Sequence, residues 1–209
     1  VYSGALGMFN GVDYLARLAA VVGQYNPEMR FLVIGDGSER AKVAKVASEL
    51  NVLNRNFFLL DSVPKKSMPA VLSAADIATS TVINRRPLWA YSPNKVFDAL
   101  AAGRPVAVNH EGWLADMIRQ SGCGLVLPAG DIRQGAQELV AMLGDPVRLS
   151  QAREAARRVA RHRFDRDMLA ARVEAVIRAA AEKRGSRVTA ADLEIPAAIP
   201  IGTAAAAAE

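Results

Sequence analysis

Short, uniformly apolar runs alternate with longer amphipathic stretches along most of this chain, and that alternation limits its fold more than any other feature. The apolar runs lie at residues 1–3, 31–34, 57–60, 77–80, 105–108 and 125–127. Each is apolar at successive positions, so neither face can meet water, as expected of parallel strands covered by helices on both sides. Between them, residues 12–25, 39–50, 68–74, 95–101, 114–121 and 133–143 carry helical periodicity. The alternation predicts an α/β fold with a doubly wound, Rossmann-like parallel sheet of about six strands.

Punctuation supports these boundaries. Asn10, Ser38 and Ser67 stand where helix N-caps are wanted, and Gly103 and Gly122 follow helices where a positive φ is needed. Two Arg- and Ala-rich helices are expected at 147–161 and 165–183, appended to a domain spanning 1–146. The appended pair is taken to run to residue 187. Residues 188–209 include the tract EIPAAIPIGTAAAAAE, whose prolines and alanine run predict a poorly ordered tail. The chain opens at Val1 directly into a strand, which suggests a fragment of a longer protein.

Composition narrows the chemistry. With 51% hydrophobic and 22% charged residues, the chain has the make-up of a folded globular protein. Cys123 is the single cysteine, so no internal disulfide forms and no Cys/His zinc pattern exists. Neither a leader peptide nor an apolar run of about 20 residues is present, and a cytoplasmic setting is expected. Residues 148–187 hold 12 basic and 5 acidic side chains, against 14 and 16 elsewhere, which places the net charge of +5 in the last helices. Phe164 is the lone aromatic there, too few for a nucleic-acid stacking surface. Arginines 157, 158, 161 and 172 suggest an anionic surface at the inner membrane face as a partner.

Ligands of a doubly wound sheet sit beyond the carboxyl ends of its strands, where loops enter helices whose first N–H groups are free. Three loops suit that position. Gly4 and Gly7 in SGALG leave the backbone open to an anion, or simply form a tight turn. Gly35 and Gly37 in GDGSER resemble a dinucleotide fingerprint, but Arg40 replaces its third glycine and the loop follows the second strand. In SPNKVFDALAAGRPV, Pro93 precedes a helix whose first turn carries Asn94 and Lys95. Cation and N–H groups could therefore converge on a phosphate, with Asp98 one turn on as an acceptor for a sugar diol. A surface Lys/Asp pair is the plain alternative.

The stretches VYSGALGMFNGVDYL, FLVIGDGSER, DSVPKKSMPAVLSAADI, SPNKVFDALAAGRPVAV, HEGWLADMI and GCGLVLPAGD occur in that order. Together they resemble the C-terminal, donor-binding domain of GT-B glycosyltransferases, particularly family 4 enzymes of bacterial surface polysaccharides. The resemblance covers about three-quarters of the chain. It implies that the chain binds a nucleotide-diphosphate sugar, with a uridine nucleotide first in expectation. It also implies retaining transfer of a hexosyl or N-acetylhexosaminyl group to a saccharide or lipid-linked acceptor held by a missing N-terminal domain, with neither cofactor nor metal. Lys95 and Asp98 become the catalytic candidates, and Gly4, Gly7, Gly35, Gly37, Val63, Pro64, Asn94, Lys95 and Asp98 the donor-binding set. Within it, Asp98 takes the place of the second motif acid that holds ribose, and Val63 and Pro64 lie on the base side.

Two departures from the pattern stand out. Ala90 stands where the first motif acid belongs, and Ala5 and Asn10 replace a basic pair beside the diphosphate, so Lys95, with Arg85 or Arg86, is left to supply that charge. A sugar-nucleotide epimerase of the same architecture is the rival enzyme, with His110 and Glu111 as its acid/base candidates. A non-catalytic Rossmann-type binding module is the non-enzyme alternative. The isolated chain is expected to bind donor and hardly turn over. His162 is expected to face solvent, and Cys123 to be a small packed residue.

Overall fold

The computed structural model describes residues 1–182. The strands are β1 (Tyr2–Ser3), β2 (Phe31–Ile34), β3 (Phe57–Leu60), β4 (Ala78–Ser80), β5 (Val106–Val108) and β6 (Gly124–Val126). The helices are α1 (Asp13–Tyr25), α2 (Arg40–Glu49), α3 (Met68–Ala74), α4 (Asn94–Ala101), α5 (Trp113–Ser121), α6 (Ile132–Leu143), α7 (Pro146–Arg163) and α8 (Arg166–Glu182). All strands are parallel, in the order β3-β2-β1-β4-β5-β6. The doubly wound sheet expected from the apolar runs is therefore the fold observed.

The order reverses direction between β1 and β4, so the loops after those two strands diverge and leave a crevice at their carboxyl ends. On one face α1 packs against α2 and α6, burying Leu15, Leu18, Val22, Val43, Leu139 and Met142 with Phe31, Val33 and Phe57 of the sheet. On the other, α4 and α5 meet α7 over Val96, Leu100, Val106, Leu114, Ile118 and Val159. Each such side chain contributes roughly 1.5–3 kcal/mol of burial. These two layers hold the strand ends rigid.

The helix boundaries arise partly from different devices than the sequence suggests. Asn10 and Ser38 do not cap: α1 and α2 begin after Val12 and Glu39, neither with a side-chain cap, and Ser67 precedes α3 without capping it. Asn10 is drawn off because its amide bonds within the preceding loop. Asp131 and Asp145 instead accept from the first turns of α6 and α7. Gly103 and Gly122 do adopt positive φ, 66° and 70°.

The last two helices differ in attachment. Ala152, Ala155, Ala156 and Val159 of α7 are buried in the core, whereas Leu169, Val173 and Ile177 of α8 are exposed. Among the described residues no helix is long and apolar enough to cross a membrane. The tail expected at 188–209, with the last residues of the expected helical pair, lies outside the described residues.

Candidate functional site

The crevice is floored by the loop after β1. Tyr2 is almost fully buried, and its hydroxyl donates to the Ala5 carbonyl at 2.7 Å while accepting from the Asn10 amide at 2.9 Å. The same amide donates to Ala5 O at 2.6 Å, and the Asn10 carbonyl accepts from Thr81 Oγ1 at 2.7 Å. A loop with no charge of its own is thereby tied to the segment after β4. Gly4 adopts φ +137°. Gly7 is extended, and a Cβ there would meet open space.

The second glycine loop supports the first. A Cβ on Gly35 would overlap the Gly4 carbonyl oxygen, and one on Gly37 would come within 2.6 Å of Leu6 O. Backbone bonds run from Leu6 N to Asp36 O at 2.9 Å and from Glu39 N to Leu6 O at 2.9 Å. Gly35 and Gly37, at φ +154° and +153°, thus let two loops pack backbone to backbone. Arg40, the residue that breaks the dinucleotide fingerprint, donates to Gly35 O and Leu60 O and pairs with Asp61, fastening the ends of β2 and β3.

Helix α4 brings the cation. Pro93 precedes it with φ −79°, and Asn94 and Lys95 occupy its first turn. Val96, Ala99 and Leu100 anchor it in the core. The Lys95 chain crosses the bare α-carbon of Gly4, where a Cβ would lie 3.0 Å from Nζ, and its amine sits 3.6 Å above the centroid of the Tyr2 ring. Burial lowers the Lys95 pKa to about 7. The structure therefore unites Lys95, Gly4 and the amino end of α4, three of the elements expected to meet.

Asp98 is exposed on the same helix and lines a cavity of about 330 Å³ with Lys65, Met68, Pro69 and Leu72. The carboxylate accordingly faces the segment that follows Pro64. Pro64 leads into a 3-10 turn at Lys65–Ser67. Val63 is directed elsewhere, into an apolar groove of about 650 Å³ with Leu32, Ile34, Leu60 and Val71. Arg85 and Arg86 are exposed at the start of a turn over Arg86–Ala90. Among the described residues, no three His, Cys, Asp or Glu side chains converge as metal ligands.

The remaining candidates lie in different settings, and His110 Nε2 is buried without a hydrogen-bond partner. His110 is buried, with Nδ1 2.8 Å from the Glu111 carbonyl. Glu111 is held bidentately by Arg119 at 2.6 and 2.8 Å, which keeps its carboxyl below the usual range. A carboxylate locked this way is poorly placed for the acid/base work an epimerase needs. Trp113 packs with Phe97 and Phe164 rather than offering a stacking surface. His162 is exposed and Cys123 buried, as expected. Tyr2 is the functional neighbour that sequence reasoning missed, because a tyrosine inside an apolar run reads as strand core.

A family model described as "Glycosyl transferases group 1" matches residues 1–145. The chain belongs to that family. Among curated proteins, the chain is 24% identical over 145 residues to the 2-deoxystreptamine glucosyltransferase of Streptomyces kanamyceticus, covering 69% of this chain and 36% of that protein. It is similar in fold to Anabaena Alr3699/HepE in complex with UDP and glucose, with TM-score 0.72 and 18% identity over 85% of this chain and 47% of that one. It is likewise similar to the C-terminal domain of the group 1 protein LpcC from Francisella tularensis, with TM-score 0.65 and 14% identity over 79% and 85% of the two chains. WaaG, a glycosyltransferase involved in lipopolysaccharide biosynthesis, gives TM-score 0.62 and 22% identity over 76% and 41%. The chain thus spans about a third of the curated relative it matches, and the C-terminal half of a GT-B fold accounts for its architecture.

Proposed function

We propose that this chain is the donor-binding half of a retaining glycosyltransferase that uses a uridine-diphosphate sugar in cell-surface polysaccharide synthesis. The observation that carries the reading is the meeting of the Lys95 amine, the Gly4 backbone and the α4 amino end at the β1/β4 crevice. Relatives described as bound to UDP and glucose, or as involved in lipopolysaccharide biosynthesis, support the donor and the process.

In this reading the diphosphate lies against Gly4 and Gly7, and Lys95 with the free N–H groups near Asn94 stabilises the charge that develops on the leaving diphosphate. Asp98 accepts from the ribose hydroxyls. The base lies toward the backbone of Val63 and Pro64, the Val63 side chain lining the apolar groove instead, while Gly35 and Gly37 shape the floor from beneath. The transferred group is a hexosyl or N-acetylhexosaminyl unit. Its acceptor, a saccharide or lipid-linked sugar, and the group that activates it belong to the missing N-terminal half, so the chain alone binds donor and scarcely turns over. No metal or further cofactor enters this scheme, and the setting is cytoplasmic. An anionic membrane surface is a secondary partner, on the strength of the arginines at 157, 158, 161 and 172, although Arg157 lies against Gly103 and Arg158 pairs with Glu154.

Calorimetry with a panel of nucleoside diphosphates tests the reading. UDP should bind, and Asp98→Ala should weaken it roughly tenfold or more, as expected for a lost charged hydrogen bond. Absence of binding by every nucleoside diphosphate, or indifference to Asp98→Ala, overturns it.

A further inference from the structure

The amino edge of the sheet, opposite the donor crevice, gathers three arginines. Arg104 lies in the turn between α4 and β5, while Arg153 and Arg157 stand one turn apart on α7. Arg104 donates to the Ser73 carbonyl at 2.7 Å, and Arg153 pairs at 2.7 Å with Asp76, just before β4. Arg157 crosses the bare α-carbon of Gly103, where the φ is +66° and a Cβ would lie 2.6 Å from the arginine Nε. Among the described residues Arg157 has neither a hydrogen bond nor an ion pair, and the Nε atoms of Arg104 and Arg153 are buried without a partner. Asp76 is the one acidic side chain acting on Arg104, whereas Arg153 and Arg157 both repel it. Three guanidinium groups against one carboxylate leave a local charge of +2. Like charges four residues apart weaken a helix, and packing does not call for them, because α7 buries Ala152, Ala155, Ala156 and Val159 instead.

We propose that Arg104, Arg153 and Arg157 form a second anion site, separate from the donor crevice, which takes a phosphate monoester or inorganic phosphate. The charge matches, since a phosphate monoester carries about −1.5 to −2 at pH 7 against the uncompensated +2. A carboxylate of a protein partner would neutralise only half of it. The shape matches as well: planar guanidinium forks present paired N–H donors to phosphate oxygens, and the Arg157 fork has no acceptor of its own. A phosphate held there bridges the turn after α4 to α7 and removes the repulsion between them. Neither Lys95 nor Asp98 takes part, so the site works independently of the donor. The phosphate can be free in solution or the headgroup of a lipid, and the two sources give different results in the test below.

Thermal denaturation of the full 209-residue chain in inorganic phosphate and in chloride, at equal ionic strength, reads the site. About 20 mM phosphate should raise Tm by roughly 2–5 °C over chloride, as for a ligand at several times its Kd. Lys95→Met, which strips the cation from the crevice, should keep that shift. Arg157→Gln, which breaks no hydrogen bond or ion pair, should lose most of it, and in chloride should melt no lower than the wild-type chain because a repulsion is gone. Co-sedimentation with vesicles of phosphatidic acid in phosphatidylcholine, against phosphatidylcholine alone, identifies the source. Retention by the acidic vesicles that falls about fivefold or more in Arg157→Gln marks a lipid headgroup, and a phosphate shift without such retention marks a soluble phosphate. The site is refuted if neither phosphate nor phosphatidic acid has an effect, or if Arg157→Gln leaves the effects whole. A phosphate shift that vanishes in Lys95→Met also refutes it, by assigning the anion to the crevice. UDP binding tests the donor reading separately.

Discussion

Replacing Lys95 by Met tests the electrostatics of the site without any ligand. Folding moves this amine from an ordinary pKa of 10.5 to about 7. At about 1.36 kcal/mol per unit, burying the ammonium costs on the order of 5 kcal/mol. The Tyr2 ring returns about 1–2 kcal/mol through its quadrupole, so desolvation wins. A few kcal/mol of net cost should therefore disappear in Lys95→Met, whose unbranched apolar chain fits the same channel.

The pH dependence follows from proton counting. Between pH 7 and 10.5 the unfolded chain binds the lysine proton and the folded chain does not, so stability rises with pH by about 1.4 kcal/mol per unit. Below pH 7 both states are protonated and the whole cost is present. Val1, whose amine is lowered to about 6 from 8.0, still adds about 0.3–0.4 kcal/mol between pH 8 and 9, where the unfolded chain loses the second half of that proton. The Cys123 thiol, raised from 9.0, removes about 0.3–0.4 kcal/mol over the same unit as it ionises in the unfolded chain, so the two effects nearly cancel. Urea unfolding at pH 8 and 9 isolates Lys95. The wild-type chain should gain about 1.4 kcal/mol across that unit and Lys95→Met almost nothing, with the variant the more stable at pH 7 by about 2–4 kcal/mol. Equal slopes, or a variant less stable at pH 7, would refute the account of a buried and unpaired amine.

Two further substitutions probe the frame around the crevice. Gly35→Ala places a methyl group on the Gly4 carbonyl at a φ of +154°, and thermal denaturation should show a loss of 3 kcal/mol or more, with UDP affinity falling as the Gly4 loop is displaced. Asn109→Ala removes the buried side chain that accepts from Val82 N at 2.9 Å and donates to Val82 O at 3.0 Å. Two stranded backbone groups should lower stability by about 2–4 kcal/mol in urea unfolding, and a change below 1 kcal/mol would contradict this.

The sequence by itself determined the sheet. Its six apolar runs coincide with β1–β6 because a strand buried on both faces has no other composition open to it, and α1 to α6 occupy the intervening amphipathic stretches. The order of its loop motifs likewise placed Gly4, Lys95 and Asp98 at the carboxyl edge before any coordinates. Only the tertiary structure decided which groups touch. A tyrosine in an apolar run carries no sign that a lysine more than ninety residues later will lie on its ring, and nothing in GDGSER tells a phosphate loop from one that packs on its neighbour. Asp98 and Lys95 share a helix, yet one faces Lys65 and the other Gly4. Local patterns record how each segment buries itself. Contacts across the switch point, and the charge state they impose, depend on distances between segments that only folding sets.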